Sequence, residues 1–193
     1  MKEIEVKARL RDKKKLLKKL KSIGCVFDKK VTQNDIVYAE RVGSLKSFLS
    51  NKIFLRIRLK NKSKVIFTVK KPIASWLNKT EYETEVSSKE EMQQAILLMG
   101  YKEAVRVSKN RVVAHYKDYE ICVDDIHGLG SFIEIEKLSK NGDPKKIQKQ
   151  LYIFLESLGI KKDDSVNPGY DILMLQKDKW TYLKNIVCHV KAG

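Results

Sequence analysis

The sequence predicts an α+β fold: an eight-stranded antiparallel sheet able to close into a β-barrel, with flanking helices. Three observations carry that prediction. Strand-like alternation of apolar and polar residues recurs in neighbouring segments along the 193 residues. Three longer stretches have helical spacing, each opened by a capping residue and closed by a glycine. Five strands carry a pair of like charges two residues apart. A closed barrel gives those charged faces somewhere to converge, whereas an open sheet leaves them in water.

The elements follow in order. In 2–10, Ile4, Val6, Ala8 and Leu10 alternate with Glu3, Glu5, Lys7 and Arg9, so one face is apolar and the other charged. A helix is expected over 12–23, with Asp12 as N-cap, a stripe of Leu16, Leu17, Leu20 and Ile23, and Gly24 as its stop. Residues 25–28 and 31–39 read as extended, and 40–51, with Gly43, as loop. Segments 52–60 and 64–71 form a hairpin turned at Asn61-Lys62-Ser63. Pro72 is expected to end its second strand, because proline has no N–H for the ladder. Residues 79–87 resume as strand, and Ser88 opens a helix that Gly100 closes. Extended segments follow at 101–107, 109–117, 119–126 and 131–138, with turns at Lys117-Asp118 and Gly128-Leu129-Gly130. Asp143 and Pro144 start a third main helix, which runs to Leu158. A polar turn over 165–170 leads into a short helix over 171–176, and the tail 177–193 has no assigned element.

Composition narrows the class. The chain is 42% hydrophobic and 33% charged, which describes a globular protein with one sizeable core. No apolar run is long enough to span a bilayer, so no membrane partner is expected. Lys2-Glu3 leads straight into alternation without an apolar signal region, so the expected location is cytoplasmic. Cys25, Cys122 and Cys188 are scattered and odd in number, against a disulfide framework or a zinc site; Cys122 is expected to be buried. His115, His127 and His189 lack metal-ligand spacing. The net charge of +16 attracts polyanions. However, Lys13, Lys14, Lys15, Lys18, Lys19, Lys21, Lys145, Lys146 and Lys149 sit on helices, and solvated lysine faces explain much of the excess without a nucleic-acid partner.

The charged pairs are Glu3/Glu5, Arg56/Arg58, Glu83/Glu85, Lys109/Arg111 and Glu134/Glu136. A strand's polar face usually meets solvent. Yet like charges at alternate positions repel unless an opposite charge lies between them, and Glu-x-Glu occurs three times. Carboxylate pairs suit a hard divalent cation, and arginine or lysine pairs suit phosphate oxygens. Together they suit a metal-plus-polyphosphate site.

Glu3-x-Glu5-x-Lys7 resembles the signature of the CYTH superfamily, the triphosphate tunnel metalloenzymes. Arg56-x-Arg58, Thr68-Val69-Lys70-Lys71-Pro72, Glu83-x-Glu85 and Lys109-x-Arg111 resemble its ordered later motifs. So do Asp124, the block Gly128-Leu129-Gly130-x-Phe132-x-Glu134-x-Glu136, and Asn167–Asp171 with Tyr170. The resemblance covers 1–176 and implies a tunnel of eight antiparallel strands with charges pointing inward. It implies Mg²⁺ or Mn²⁺ on Glu3, Glu5, Glu134 and Glu136, with Glu83 and Glu85 in support. Arg56, Arg58, Lys70, Lys109 and Arg111 would bind phosphate; Lys7 would contact phosphate or partner a glutamate. Asp124 would orient a basic residue or a metal-bound water. Alternation with Thr68 favours Lys70 over Lys71 as the inward lysine. Val37-Tyr38-Ala39-Glu40 departs from the aromatic-aromatic-acid sequence the family often has after the position of Asp35.

Length and the Gly-Leu-Gly-Ser-Phe-Ile-Glu-Ile-Glu block look most like class IV adenylate cyclases, which implies ATP as the small-molecule substrate and 3′,5′-cyclic AMP plus pyrophosphate as products. A tripolyphosphatase or a thiamine or nucleoside triphosphatase is the alternative, since it uses the same groups. A non-catalytic binder of nucleotides, polyphosphate or RNA ends is the reading from another class, and the retained glutamates argue against it. The resemblance also allows a homodimer. Glu5→Gln with Glu134→Gln is expected to abolish turnover and leave the fold intact.

Overall fold

The computed structural model describes residues 2–75, 78–140 and 142–177. Tail residues 178–193, including Cys188 and His189, lie outside the described residues. The order is β1 (Lys2–Arg9), α1 (Lys13–Ser22), β2 (Val26–Phe27), β3 (Val31–Ala39), α2 (Leu45–Leu49), β4 (Phe54–Lys60), β5 (Lys64–Ser75) and β6 (Asn78–Val86). Then come α3 (Lys89–Leu98), β7 (Lys102–Tyr116), β8 (Tyr119–Ile126), β9 (Gly130–Ser139) and α4 (Pro144–Ser157). A single 3-10 turn (Lys162–Asp164) and a helix over 170–177 close the described chain. The fold class is α+β, on an antiparallel path of eight strands.

Contacts divide the chain into two compact units, one of Met1–Gln33 with Ser108–Asn167 and one of Asn34–Val107 with residues from Pro168 onward. In the first unit the strand order is β1-β9-β8-β7, with β2 beside β7. Alternation sends Ile4, Val6, Ile121, Val123, Ile133 and Ile135 to one face, where Leu16 and Leu20 of α1 and Ile147, Leu151 and Leu155 of α4 cover them. Asp12 caps α1 by accepting from the Lys15 N–H at 2.9 Å, and Asp143 caps α4 from the Lys145 N–H at 3.0 Å. Gly24 and Gly159, both at φ 85°, supply the left-handed residue that stops each helix. Leu151 is fully buried in this cluster. Leu151→Ala is therefore expected to cost about 2–5 kcal/mol, read from chemical denaturation.

In the second unit the order runs from the first half of β7 through β3, β4 and β5 to β6. Leu55, Ile57 and Val65 form its core face with Ile96 of α3. The β4–β5 turn places Asn61 and Lys62 at φ 52° and 63°, the geometry of a tight hairpin.

Three local expectations change. The expected loop 40–51 contains α2, because Ser44 caps it from the Ser47 N–H at 3.0 Å and Phe48 buries against Phe54 with ring centroids 4.9 Å apart. Pro72 does not end β5, which continues to Ser75. Pairing of β4 with β5 stops at Phe54↔Lys70, so Pro72 pairs only with Lys79 of β6 and its missing N–H interrupts no β4 ladder. The segments expected at 101–107 and 109–117 are one strand, β7. Cys122 is buried as expected, and His115 lies at the surface, 3.0 Å from Asp28. Among the described residues no helix is long and apolar enough to cross a membrane.

Candidate active site

In the first unit the charged face lies opposite the apolar one. Register sets Glu5 across from Glu136 and Lys7 across from Glu134, so both pairs project from the same side of β1 and β9. Cys122 of β8 faces Glu134 of β9, and Asp124 of β8 faces Arg111 of β7. This face is not solvated in the ordinary way. Lys7, Lys109 and Glu134 are 6–8% exposed, and Asp124 is fully buried.

Burial forces pairing, because an isolated charge away from water costs several kcal/mol. Arg111 donates through Nε and Nη2 to the two Asp124 oxygens at 2.7 and 2.6 Å, and Nη2 also meets Glu134. Lys7 lies 3.0 Å from the other Glu134 oxygen, and Lys109 lies 3.9 Å from Asp124. Burial pushes the Glu134 carboxyl upward, but Lys7, Arg111 and Lys109 outweigh it and hold the group well below the usual carboxylate range. Burial likewise opposes the Arg111 charge, and the carboxylates of Asp124 and Glu134 more than offset it.

One row further along, the balance reverses. Glu3, Glu5 and Glu136 bring carboxylate oxygens within 4.8 Å of one another. Burial, then Glu3, Glu134 and Glu5, push the Glu136 carboxyl up to about 8. Three converging oxygen donors whose like charges repel suit a hard divalent cation such as Mg²⁺ or Mn²⁺. A cation in their midst would favour the ionised form of Glu136 that burial and repulsion now oppose.

The second unit carries its own row. Arg56 of β4, Thr68 of β5 and Glu83 of β6 are cross-strand neighbours. Arg56 Nη2 donates to Thr68 Oγ1 at 3.0 Å and to Glu83 Oε2 at 2.7 Å, while its buried Nε has no acceptor among the described residues. Burial and the adjacent Arg58 lower the Arg56 pKa against the pull of Asp35, Glu81 and Glu83. Arg58 forks onto Asp35 with two bonds of 2.7 Å. Lys70 shares a strand face with Thr68 and meets Glu81 at 2.9 Å, whereas Lys71 is exposed.

The expected residues thus fall into distinct arrangements. Glu3, Glu5 and Glu136 converge, and Glu134 joins the basic residues Lys7 and Arg111. Asp124 pairs with Arg111. Glu83 accepts from Arg56, and Glu85 pairs at 2.6 Å with Lys64, both of them half exposed. Asp35 and Glu81, the partners of Arg58 and Lys70, escaped the sequence reading. A lone acid before the apolar run Ile36-Val37 was the available signal for Asp35; Glu81 had none beyond register.

The CYTH domain family matches residues 1–170. A Methanocaldococcus jannaschii protein named as a candidate adenylate cyclase is 33% identical over 171 residues, covering 87% of this chain and 95% of that protein. A Pyrococcus horikoshii protein of solved structure superposes with a TM-score of 0.77 at 28% identity, covering 91% of this chain and 99% of the other. A Hippeastrum candidate adenylyl cyclase, described as revealing a dominant triphosphatase activity, superposes with a TM-score of 0.54 at 19% identity, over 82% and 88% of the two chains. With its family match spanning most of the sequence and the ordered acid and base pairs lying on its strands, the chain belongs to the CYTH family.

Proposed function

We propose that the chain is a divalent-metal-dependent enzyme that converts ATP to 3′,5′-cyclic AMP and pyrophosphate. The convergence of Glu3, Glu5 and Glu136 supports this reading above all. Those three carboxylates would hold Mg²⁺ or Mn²⁺, which supplies charge neutralisation on phosphate oxygens and acidifies an attacking hydroxyl. Lys7 and Arg111 keep Glu134 ionised, so the row beside the trio stays charged and ordered. Arg111, forked by Asp124, and Lys109 are the phosphate-binding groups of the first unit. Arg56, Arg58 and Lys70 are those of the second, with the free Nε–H of Arg56 the donor left for an anion. In the reaction the ribose 3′-oxygen bonds to the α-phosphorus and the bond to the β-bridging oxygen breaks. Pyrophosphate leaves, and the hydroxyl proton passes to solvent.

The cyclase reading draws on the name carried by the archaeal relative. The activity described for the Hippeastrum protein favours a second reading, in which water bonds to the terminal phosphorus, the bond to the bridging oxygen breaks, the diphosphate leaves and the terminal group becomes orthophosphate. A non-catalytic binder is disfavoured because an anion receptor has no use for three converging carboxylates. In this reading the catalytic domain is 1–176, the protein is cytoplasmic, and a homodimer is the assembly that sedimentation would test. The deciding experiment incubates the pure protein with Mg²⁺ or Mn²⁺ and either ATP or tripolyphosphate, then resolves the products. Cyclic AMP plus pyrophosphate is expected; ADP plus orthophosphate, or cleavage of tripolyphosphate alone, selects the triphosphatase. Anion affinity that survives EDTA without turnover selects the binder.

A further inference from the structure

The first unit carries a second strongly charged surface, on the side away from its carboxylate row. Helices α1 and α4 cover the apolar face of β1, β9, β8 and β7, and their outer faces carry lysine. Residues 11–30 hold nine basic and two acidic side chains, and residues 143–162 hold five and two. Ten of the sixteen net positive charges therefore sit in these two segments, which contain α1 and α4. α1 itself contains six lysines and no acid.

Ordinary solvated helices interleave acids and bases, because unlike charges at i, i+4 stabilise by about 0.2–0.5 kcal/mol and like charges cost as much. Here Lys14 stands four residues from Lys18, and Lys15 four from Lys19. Two cations of the layer are offset: Arg11 pairs with Asp164 at 2.9 Å, and Lys13 with Asp125. Lys14, Lys15, Lys18, Lys19, Lys145, Lys146 and Lys149 form no ion pair with any described residue. A face that repels itself and on which cations far outnumber acids is complementary to an external polyanion.

We propose that the outer faces of α1 and α4 bind the phosphate backbone of double-stranded nucleic acid, independently of base sequence. The apolar sides of both helices are turned to the core through Leu16, Leu20, Ile147 and Leu151, and the single exposed Ile153 of α4 is too little to make a face that enters a lipid surface. The nearby aromatics are engaged as well. Tyr116 stacks on Phe154 at 5.3 Å between centroids, and Phe27 lies under Lys21, so these rings offer no open platform for unstacked bases. Clustered cations that act on phosphate without stacking groups suit a duplex backbone.

The test measures anisotropy of a labelled DNA duplex of about 20 base pairs against salt, with the full chain and with Lys14→Glu/Lys18→Glu/Lys149→Glu. Saturating tripolyphosphate is present throughout to occupy the triphosphate site. The parent is expected to bind with log Kd rising against log salt at a slope of about 4–6, and the triple variant to bind at least about tenfold more weakly with a slope smaller by about 3. Turnover of the triphosphate substrate should be unchanged in the variant, because none of the three lysines belongs to that site. Equal duplex affinity of parent and variant overturns the proposal. So does tighter binding to vesicles of equimolar phosphatidylserine and phosphatidylcholine than to the duplex. None of these outcomes bears on the cyclase or triphosphatase reading.

Discussion

Glu136→Gln is expected to lower triphosphate turnover by at least about a hundredfold while making the metal-free protein more heat-stable in alkaline buffer. The first effect follows from removing one of three converging oxygen donors. The second follows from the sign of the pKa change. The folded-state pKa of Glu136 is raised to about 8, mainly by burial and then by Glu3, Glu134 and Glu5, so folding favours the protonated form. A raised carboxyl destabilises the fold progressively as pH rises above its unfolded value and fully once pH exceeds about 8. The neutral amide lacks that penalty. Scanning calorimetry in EDTA between acid and alkaline pH checks it: the parent's Tm should fall as pH rises through this window and the variant's should fall less. Mg²⁺ or Mn²⁺ should raise the parent's Tm most at the alkaline end, and should raise the variant's far less. An identical Mg²⁺ response in the two proteins would remove Glu136 from the ligand set.

Arg111→Ala should cost the fold about 3–5 kcal/mol, a large share of the 5–15 kcal/mol that stabilises most domains. Asp124 is fully buried and Glu134 nearly so, and Arg111 touches both. Truncation would take from two buried carboxylates the guanidinium that bonds them both, leaving Lys7 beside Glu134 and Lys109 beside Asp124. Arg111→Lys should recover less than half the loss, because a single ammonium cannot reproduce the two-pronged contact with Asp124. Urea denaturation of the three proteins gives the comparison, and full recovery with lysine would refute the claim that geometry matters here. The same reasoning revises the expected behaviour of Glu5→Gln with Glu134→Gln. Loss of turnover still follows, but the Glu134 substitution should also destabilise, since it leaves Lys7 and Arg111 short of a buried anion.

Period-two alternation in Glu3–Arg9 and Phe132–Glu136 was enough to assign both strands and to send Ile4, Val6, Ile133 and Ile135 away from the charges. Caps were equally legible, because Asp12, Ser88 and Asp143 satisfy backbone donors only three positions or fewer away. The helix at Phe48 was hidden, since its stabilising partner is a tertiary ring contact with Phe54. Continuation of β5 past Pro72 was hidden too, because proline is harmless only where the neighbouring strand has already stopped, and a sequence does not show where a neighbour stops.

The chain's own order of residues determined which side chains carry charge, on which strands, and on which face of each strand, because those follow from local periodicity. The tertiary structure alone decided how the charges sort themselves. Register put Glu136 opposite Glu5 and Glu134 opposite Lys7, so two glutamates two residues apart, alike in sequence, acquired opposite electrostatic fates. Coulomb interactions in a poorly solvated setting depend on which charges lie within a few ångströms, and that distance is set by pairing between strands distant in sequence.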